Sequence, residues 1–167
     1  LSEAVTISDK TIKEYIKYFE DAFLLFEVEK FNFSRKKQIN SPKKIYCIDN
    51  GFLSASSFKF SEDKGMLLEN LVFLELRRRG KNVFYFKEQK ECDFVIKEGL
   101  KITQAIQVCS NMNEPKTKKR EVNGIIEALK SLNLKEGLIL TYDEESEMSE
   151  EGFLIKILPV WKWLLEK

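Results

Sequence analysis

The chain has 167 residues, of which 43% are apolar and 33% charged, and its net charge is +1. That suffices for one ordinary domain, or for a small and a medium one, and excludes a disordered chain. Histidine is absent and the three cysteines form no CxxC pair. Ser-His-Asp and Cys-His nucleophilic sites, histidine metal ligands, zinc knuckles and a disulfide framework are thereby removed.

The longest apolar run is five residues, from Ala22 to Phe26, too short to span a bilayer. No secretory signal is legible, so a cytoplasmic location is expected. There is no GxxxxGK[ST] loop, so this segment does not itself cradle ATP. The chain starts without methionine inside what looks like a folded pattern, and is expected to be part of a longer protein. Its basic residues cluster at Arg35, Lys36, Lys37, Lys43 and Lys44, at Arg77 to Lys81, and at Lys116 to Arg120. Such runs read first as solvated faces.

In chain order, residues 1–51 have the pattern of a winged helix-turn-helix segment. Leu1 to Val5 read as a helix tail and Thr6–Ile7 as the turn, with Ser8 or Asp9 as the next cap. Ile12, Tyr15, Ile16, Phe19 and Phe23 recur at three- and four-residue spacing, one helical stripe. Leu24 to Phe33 reads as a strand, Ser34 to Lys43 as a basic turn, and Lys44 to Ile48 as the returning strand before an Asp49-Asn50-Gly51 turn. In a DNA-binding version, Lys10, Lys13 and Lys17 face the phosphate backbone and Arg35, Lys36 and Lys37 form the wing tip. The same scaffold serves equally as a protein-packing module.

Residues 52–167 read as a second, α/β unit. Phe52 to Asp63 is a connector. Met66 to Arg79 is a helix closed by Gly80, and Val83 to Phe86 a short strand. Glu91 to Lys97 and Ile102 to Cys109 flank a hairpin at Glu98-Gly99. A helix starts at Pro115 and runs to about Leu132, and Gly137 to Tyr142 is a buried strand. An acidic loop follows to Gly152, then a strand from Phe153 to Leu158 and a terminal helix in which Trp161 and Trp163 read as core.

Glu69 shares its helix face with Met66, Val72, Phe73 and Leu76, so its carboxylate is partly desolvated. Glu75, with Arg78 and Arg79 one turn on, reads as a solvated ion-pair residue. Strand alternation puts Cys92, Phe94 and Ile96 on one face and Glu91, Asp93 and Val95 on the other. It places Gln107 with Ala105 and Cys109, opposite Ile106 and Val108. The hairpin then makes Asp93 and Gln107 neighbours, about 5 Å apart at Cβ if directly paired. Glu69, Asp93 and Gln107 form a candidate catalytic set and the oxygen donors of a candidate magnesium site. Equally, they read as two ordinary acids and a polar residue at a sheet edge.

At these residues the chain resembles the C-terminal region of bacterial and archaeal AAA-type ATPases, a domain of unknown function similar to the restriction-endonuclease-like PD-(D/E)xK fold. The stretches that carry the resemblance include Lys44-Ile45-Tyr46-Cys47-Ile48-Asp49-Asn50-Gly51, Gly65-Met66-Leu67-Leu68-Glu69-Asn70, Glu91-Cys92-Asp93-Phe94-Val95-Ile96 and Ile106-Gln107-Val108-Cys109. The resemblance implies an attached N-terminal ATPase domain, a winged helix, a nuclease-like mixed sheet flanked by helices, DNA as a partner, and Mg2+. It maps the helix acid onto Glu69, the aspartate onto Asp93 and the (D/E)xK onto Gln107-Val108-Cys109. Cys109 then stands where a lysine ammonium is expected, and a neutral thiol cannot stabilise developing phosphorane charge. Lys118 or Lys119 is the candidate surrogate. The expectation is a nuclease-like, non-catalytic module recognising DNA or a partner. An active magnesium-dependent nuclease and a regulatory protein-interaction domain are the alternatives.

Overall fold

The computed structural model describes residues 8–56 and 64–166. The expected helix tail at 1–5 and the turn at 6–7 lie outside the described residues, as does 57–63 of the connector. Ser8 caps helix α1 (Asp9–Asp21), its Oγ accepting from the Thr11 N–H at 3.2 Å. Strands β1 (Leu25–Val28) and β2 (Lys44–Cys47) form an antiparallel pair. Their connection differs from the expected wing. The 34–43 segment is not a basic turn, because Arg35–Asn40 winds into helix α2. Arg35 and Gln38, one helical turn apart, both donate to the Glu29 carboxylate at 2.6 and 2.5 Å. Strand β1 also stops early, since Lys30 leaves it to bridge Tyr85.

Asp49-Asn50-Gly51 is not the expected turn. It starts helix α3 (Asn50–Ser56), with Asp49 Oδ1 accepting from the Phe52 N–H at 2.9 Å. Helix α4 (Lys64–Arg78) follows, closed by Gly80 at φ 68, and Lys81 N–H returns to the Leu76 carbonyl at 3.0 Å.

The remaining strands are β3 (Asn82–Lys87), β4 (Glu91–Glu98), β5 (Lys101–Val108), β6 (Glu136–Thr141), β7 (Ser146–Glu150) and β8 (Phe153–Pro159). They build a six-stranded mixed sheet in the order β3-β4-β5-β6-β8-β7. The pairs β5-β6 and β6-β8 are parallel and the others antiparallel. Helix α5 (Pro115–Leu132) links β5 to β6, and α6 (Val160–Leu165) follows β8. The segment expected as an acidic loop therefore contains an edge strand. Residues Ser146–Glu150 pair with β8 around a turn at Glu151 and Gly152, both at positive φ. Four of the five residues in this strand stay exposed, so it carries no apolar alternation to read.

Two cores lie on the two sides of the sheet. Under α5, Ile125, Ile126 and Leu129 meet Cys92, Val95, Ala105, Ile139 and Ile155. On the other side, Leu68, Val72, Phe73 and Leu76 of α4 meet Phe94, Ile96, Ile106 and Leu140. Phe26, Val28 and Tyr46 of the β1-β2 pair belong to this second core, with Tyr46 stacked on Phe73 at 4.3 Å between ring centres. The small sheet is thus fastened to the large one through α4. Trp163 closes this core, but Trp161 is 56% exposed and is not core. Glu75, expected to be solvated, is buried. Arg78 and Arg79 both bond it, and Arg79 lies over the Trp163 ring and donates to its carbonyl at 2.8 Å. Among the described residues no helix is long and apolar enough to cross a membrane.

Candidate functional site

The alternation expected along β4 fails at one place. Against β3, Phe84 pairs with Val95 but Phe86 with Cys92, so β4 carries one residue more than β3 in that interval. This bulge at Asp93-Phe94 explains why Cys92 packs with Val95 under α5 while Phe94 packs with Ile96 on the α4 side. It also frees the Asp93 carboxylate to turn toward α4 and β2.

There it meets Lys44. The Lys44 ammonium lies 2.8 Å from Asp93 Oδ1, 2.9 Å from Glu69 Oε1 and 2.8 Å from Glu91 Oε1. Tyr46, two residues along the same strand, donates its hydroxyl to Glu69 Oε1 at 2.6 Å. The second Asp93 oxygen accepts the Val108 N–H at 3.0 Å, and Lys87 takes the other Glu91 oxygen at 2.9 Å. A cleft of about 510 Å³ opens over this cluster, lined also by Gln107, Glu121 and the cations Lys87, Lys90 and Arg120.

The electrostatics follow from burial. Desolvation raises Asp93 to about 7, Glu69 adds to this, and Lys44 opposes it. Burial alone would lower the Lys44 pKa, but Asp93 and Glu69 outweigh it and hold the ammonium well above its ordinary range. Tyr46 is raised by burial and then by Glu69, so it stays a hydroxyl donor. Burial would raise Glu91, but its bonds to Lys44 and Lys87 keep it below the usual range.

The structure brings Glu69 and Asp93 together on one ammonium. It does not add Gln107 to them. Alternation keeps Gln107 with Ala105 and Cys109, as expected, but their face is the α5 side and not the α4 side where Glu69 stands. There its Oε1 accepts the Asp93 N–H at 3.2 Å and its Nε2 donates to Glu121 Oε2 at 2.6 Å. Arg120 holds the other Glu121 oxygen at 2.5 Å. Cys109 is buried, its thiol donating to the Asn111 carbonyl at 3.2 Å, and desolvation raises its pKa. Lys118 and Lys119 are exposed, and among the described residues neither is bonded to any of these acids.

An ammonium beside the acids is therefore present, contrary to what Cys109 alone suggested. It comes from β2, upstream of Glu69, Asp93 and Gln107, where Lys44 reads as one of a basic run and as the start of a strand. Its position two residues before Tyr46, on the same face of a strand, is the one signal that could have singled it out. Glu121 was missed as well, because a carboxylate beside Arg120 on a helix looks like a solvated pair.

The magnesium ion implied by the resemblance does not fit this arrangement. A hard dication takes oxygen ligands at about 2.1 Å in an octahedron. Here the carboxylates converge on Lys44, and the Gln107 amide is committed to Glu121.

Sheet and cluster define a mixed α/β domain whose acidic cleft carries its own internal counter-ion. The chain belongs to the family described as Domain of unknown function (DUF4143), whose model matches residues 64–163. Residues 1–63 match a second one, Domain of unknown function (DUF8612). The chain is similar to an uncharacterized protein of Methanocaldococcus jannaschii, 42% identical over 95% of this chain and 37% of that protein. It is also similar to an uncharacterized protein of Haemophilus influenzae, 32% identical over 68% of this chain and 29% of that protein. The chain spans about a third of the length of these curated relatives.

Proposed function

We propose that this chain is the C-terminal region of an AAA-type ATPase and acts as a nuclease-like module that recognises DNA without cutting it. A winged-helix segment and a restriction-endonuclease-like sheet are the two parts of that reading. The observation that carries it is the Lys44 ammonium bonded to Glu69, Glu91 and Asp93 at 2.8–2.9 Å. The point where the three acids converge is already taken by an ammonium, and around it lies a cleft rimmed by Lys87, Lys90 and Arg120, of which Lys87 and Arg120 are paired with Glu91 and Glu121. The match to DUF4143, typically a C-terminal domain of AAA-type ATPases, supports the ATPase attachment. A GxxxxGK[ST] loop is expected elsewhere in the full-length protein.

DNA contact would come from two places, the cleft rim and the sequence candidates Lys10, Lys13, Lys17, Arg35, Lys36 and Lys37. Of the latter, Lys17 is bonded to Asp21 at 2.7 Å and Arg35 to Glu29, while Lys36 and Lys37 stand exposed. Fluorescence anisotropy of a labelled duplex across a salt series tests this. The expected result is an affinity that falls linearly on a log-log plot, with a slope of about −0.9 per phosphate neutralised. An absence of salt-dependent affinity assigns the module to a protein partner instead.

One observation favours a second reading, an active nuclease. Lys44 supplies beside Asp93 the positive charge that Cys109 cannot. In that reading the ammonium is catalytic rather than a resident counter-ion, and cleavage would depend on it.

A further inference from the structure

Helix α1 has an apolar stripe that no described residue buries. None of its thirteen residues is buried. Tyr15 is 56% exposed, Phe19 43%, and Phe23, just beyond the helix, 68%; Ile12 is also exposed. Single exposed apolar residues are ordinary, but a row of aromatic side chains at helical spacing is a contact surface.

The charges along this helix suggest what it contacts. Lys10 and Lys17 each have an acid one turn on, Glu14 at 4.0 Å and Asp21 at 2.7 Å. Lys13 has no such partner among the described residues, and neither Lys13 nor Glu20 joins an ion pair there. Glu20 accepts the Glu27 N–H at 3.3 Å and lies near enough to Lys17 and Lys43 to favour their charged forms. Seven residues separate Lys13 from Glu20, so at 3.6 residues per turn they lie on one edge of the stripe.

We propose that α1 pairs antiparallel with α1 of a second copy of this chain about a two-fold axis beside Ile16. That register sets Lys13 of each copy against Glu20 of the other. It also drops Ile12 of each copy between Phe19 and Phe23 of the other. The Lys13 charge and the uncovered stripe are satisfied by one operation, as a self-complementary two-fold interface requires. Aromatic side chains of about 200 Å² each, roughly half exposed, give an interface on the order of 1,000 Å² in total. That is the size of a weak, reversible dimer.

Analytical ultracentrifugation of the whole chain across micromolar concentrations tests it. The wild type is expected to dimerise. Lys13→Glu and Glu20→Lys are each expected to weaken the dimer at least about tenfold. The double variant, with the charges exchanged, is expected to recover it. Phe19→Ser, at a half-exposed site, is expected to give a folded monomer by circular dichroism. A monomeric wild type, a dimer indifferent to Phe19→Ser, or a double variant no better than the singles would each overturn the proposal. The dimer takes Lys13 out of the set of DNA-contact candidates, and because sedimentation is read without DNA its outcome does not depend on that reading.

Discussion

Lys44 and Asp93 stand 49 residues apart in the chain, yet the Lys44 ammonium rests 2.8 Å from the Asp93 carboxylate. Two independent features of the fold make this contact. Tyr46 stacks on Phe73 and so fixes β2 against α4, and the bulge in β4 turns Asp93 toward it. The pair is a strut between the small sheet and the large one as well as the electrostatic centre of the cleft.

Its first consequence is titrimetric. Burial raises Asp93 from 3.8 to about 7, and Lys44 is the main opposing influence. In a carbon-13 NMR titration, Lys44→Met should move the Asp93 midpoint upward. Because the folded state holds the Asp93 proton more tightly than the unfolded chain, stability relative to Asp93→Asn should fall as pH rises from 3.8 through about 7, then level off. Glu75 carries the opposite sign. Its two arginines hold it at about 2, so its contribution is full above 4.5 and lost as pH falls from 4.5 through about 2. Urea unfolding of the Asp93→Asn and Glu75→Gln variants across this range checks both signs.

Tyr46→Phe removes a 2.6 Å hydrogen bond to the charged Glu69 while preserving the stack on Phe73. The expected loss is about 2 kcal/mol in chemical denaturation. A loss near zero would mean that Lys44 alone satisfies Glu69.

Asn70 knits the same region from the other side of α4. It is 2% exposed, accepts the Cys47 N–H at 2.8 Å and donates to the Cys47 carbonyl at 3.0 Å. Asn70→Ala strands both groups in the core and is expected to cost about 3 kcal/mol. The cost should appear as a lower denaturation midpoint at unchanged slope.

Gly124 brings α5 onto the start of β4. A Cβ there would stand 2.4 Å from the Glu91 backbone carbonyl oxygen, which cannot step aside without moving a residue of the charge cluster. At Gly137 the obstacle is the Ile125 Cδ1 at 2.6 Å, the free end of a side chain. Gly124→Ala is expected to cost about 3 kcal/mol and Gly137→Ala about 1 kcal/mol, measured by thermal unfolding. Equal costs would contradict this account of the α5 contact.

What could be read in advance followed periodicity. The helical spacing of Met66, Val72, Phe73 and Leu76, the proline and apolar face of α5, and the Gly99 turn placed α4, α5 and the β4-β5 hairpin nearly at their observed bounds. The β4 bulge could not be read, because it depends on what β3 offers opposite Asp93 rather than on β4 itself. Helix α2 was hidden behind a run of cations that looks like a turn. Strand β7 has no apolar alternation because it is an edge. In the cleft, Glu69 was legible as a carboxylate on an apolar helix face, and Asp93 beside Gln107 was legible from hairpin register. The cation that balances them was not, since a long-range pair leaves no mark on local spacing.

Whether the internal ammonium leaves the cleft non-catalytic is decided most directly by incubating supercoiled plasmid with the purified chain and magnesium or manganese, beside Asp93→Ala and Lys44→Met. The expected result is DNA that stays supercoiled with all three proteins. Nicking by the wild type that disappears in both variants would contradict the non-catalytic account and make Lys44 a catalytic residue.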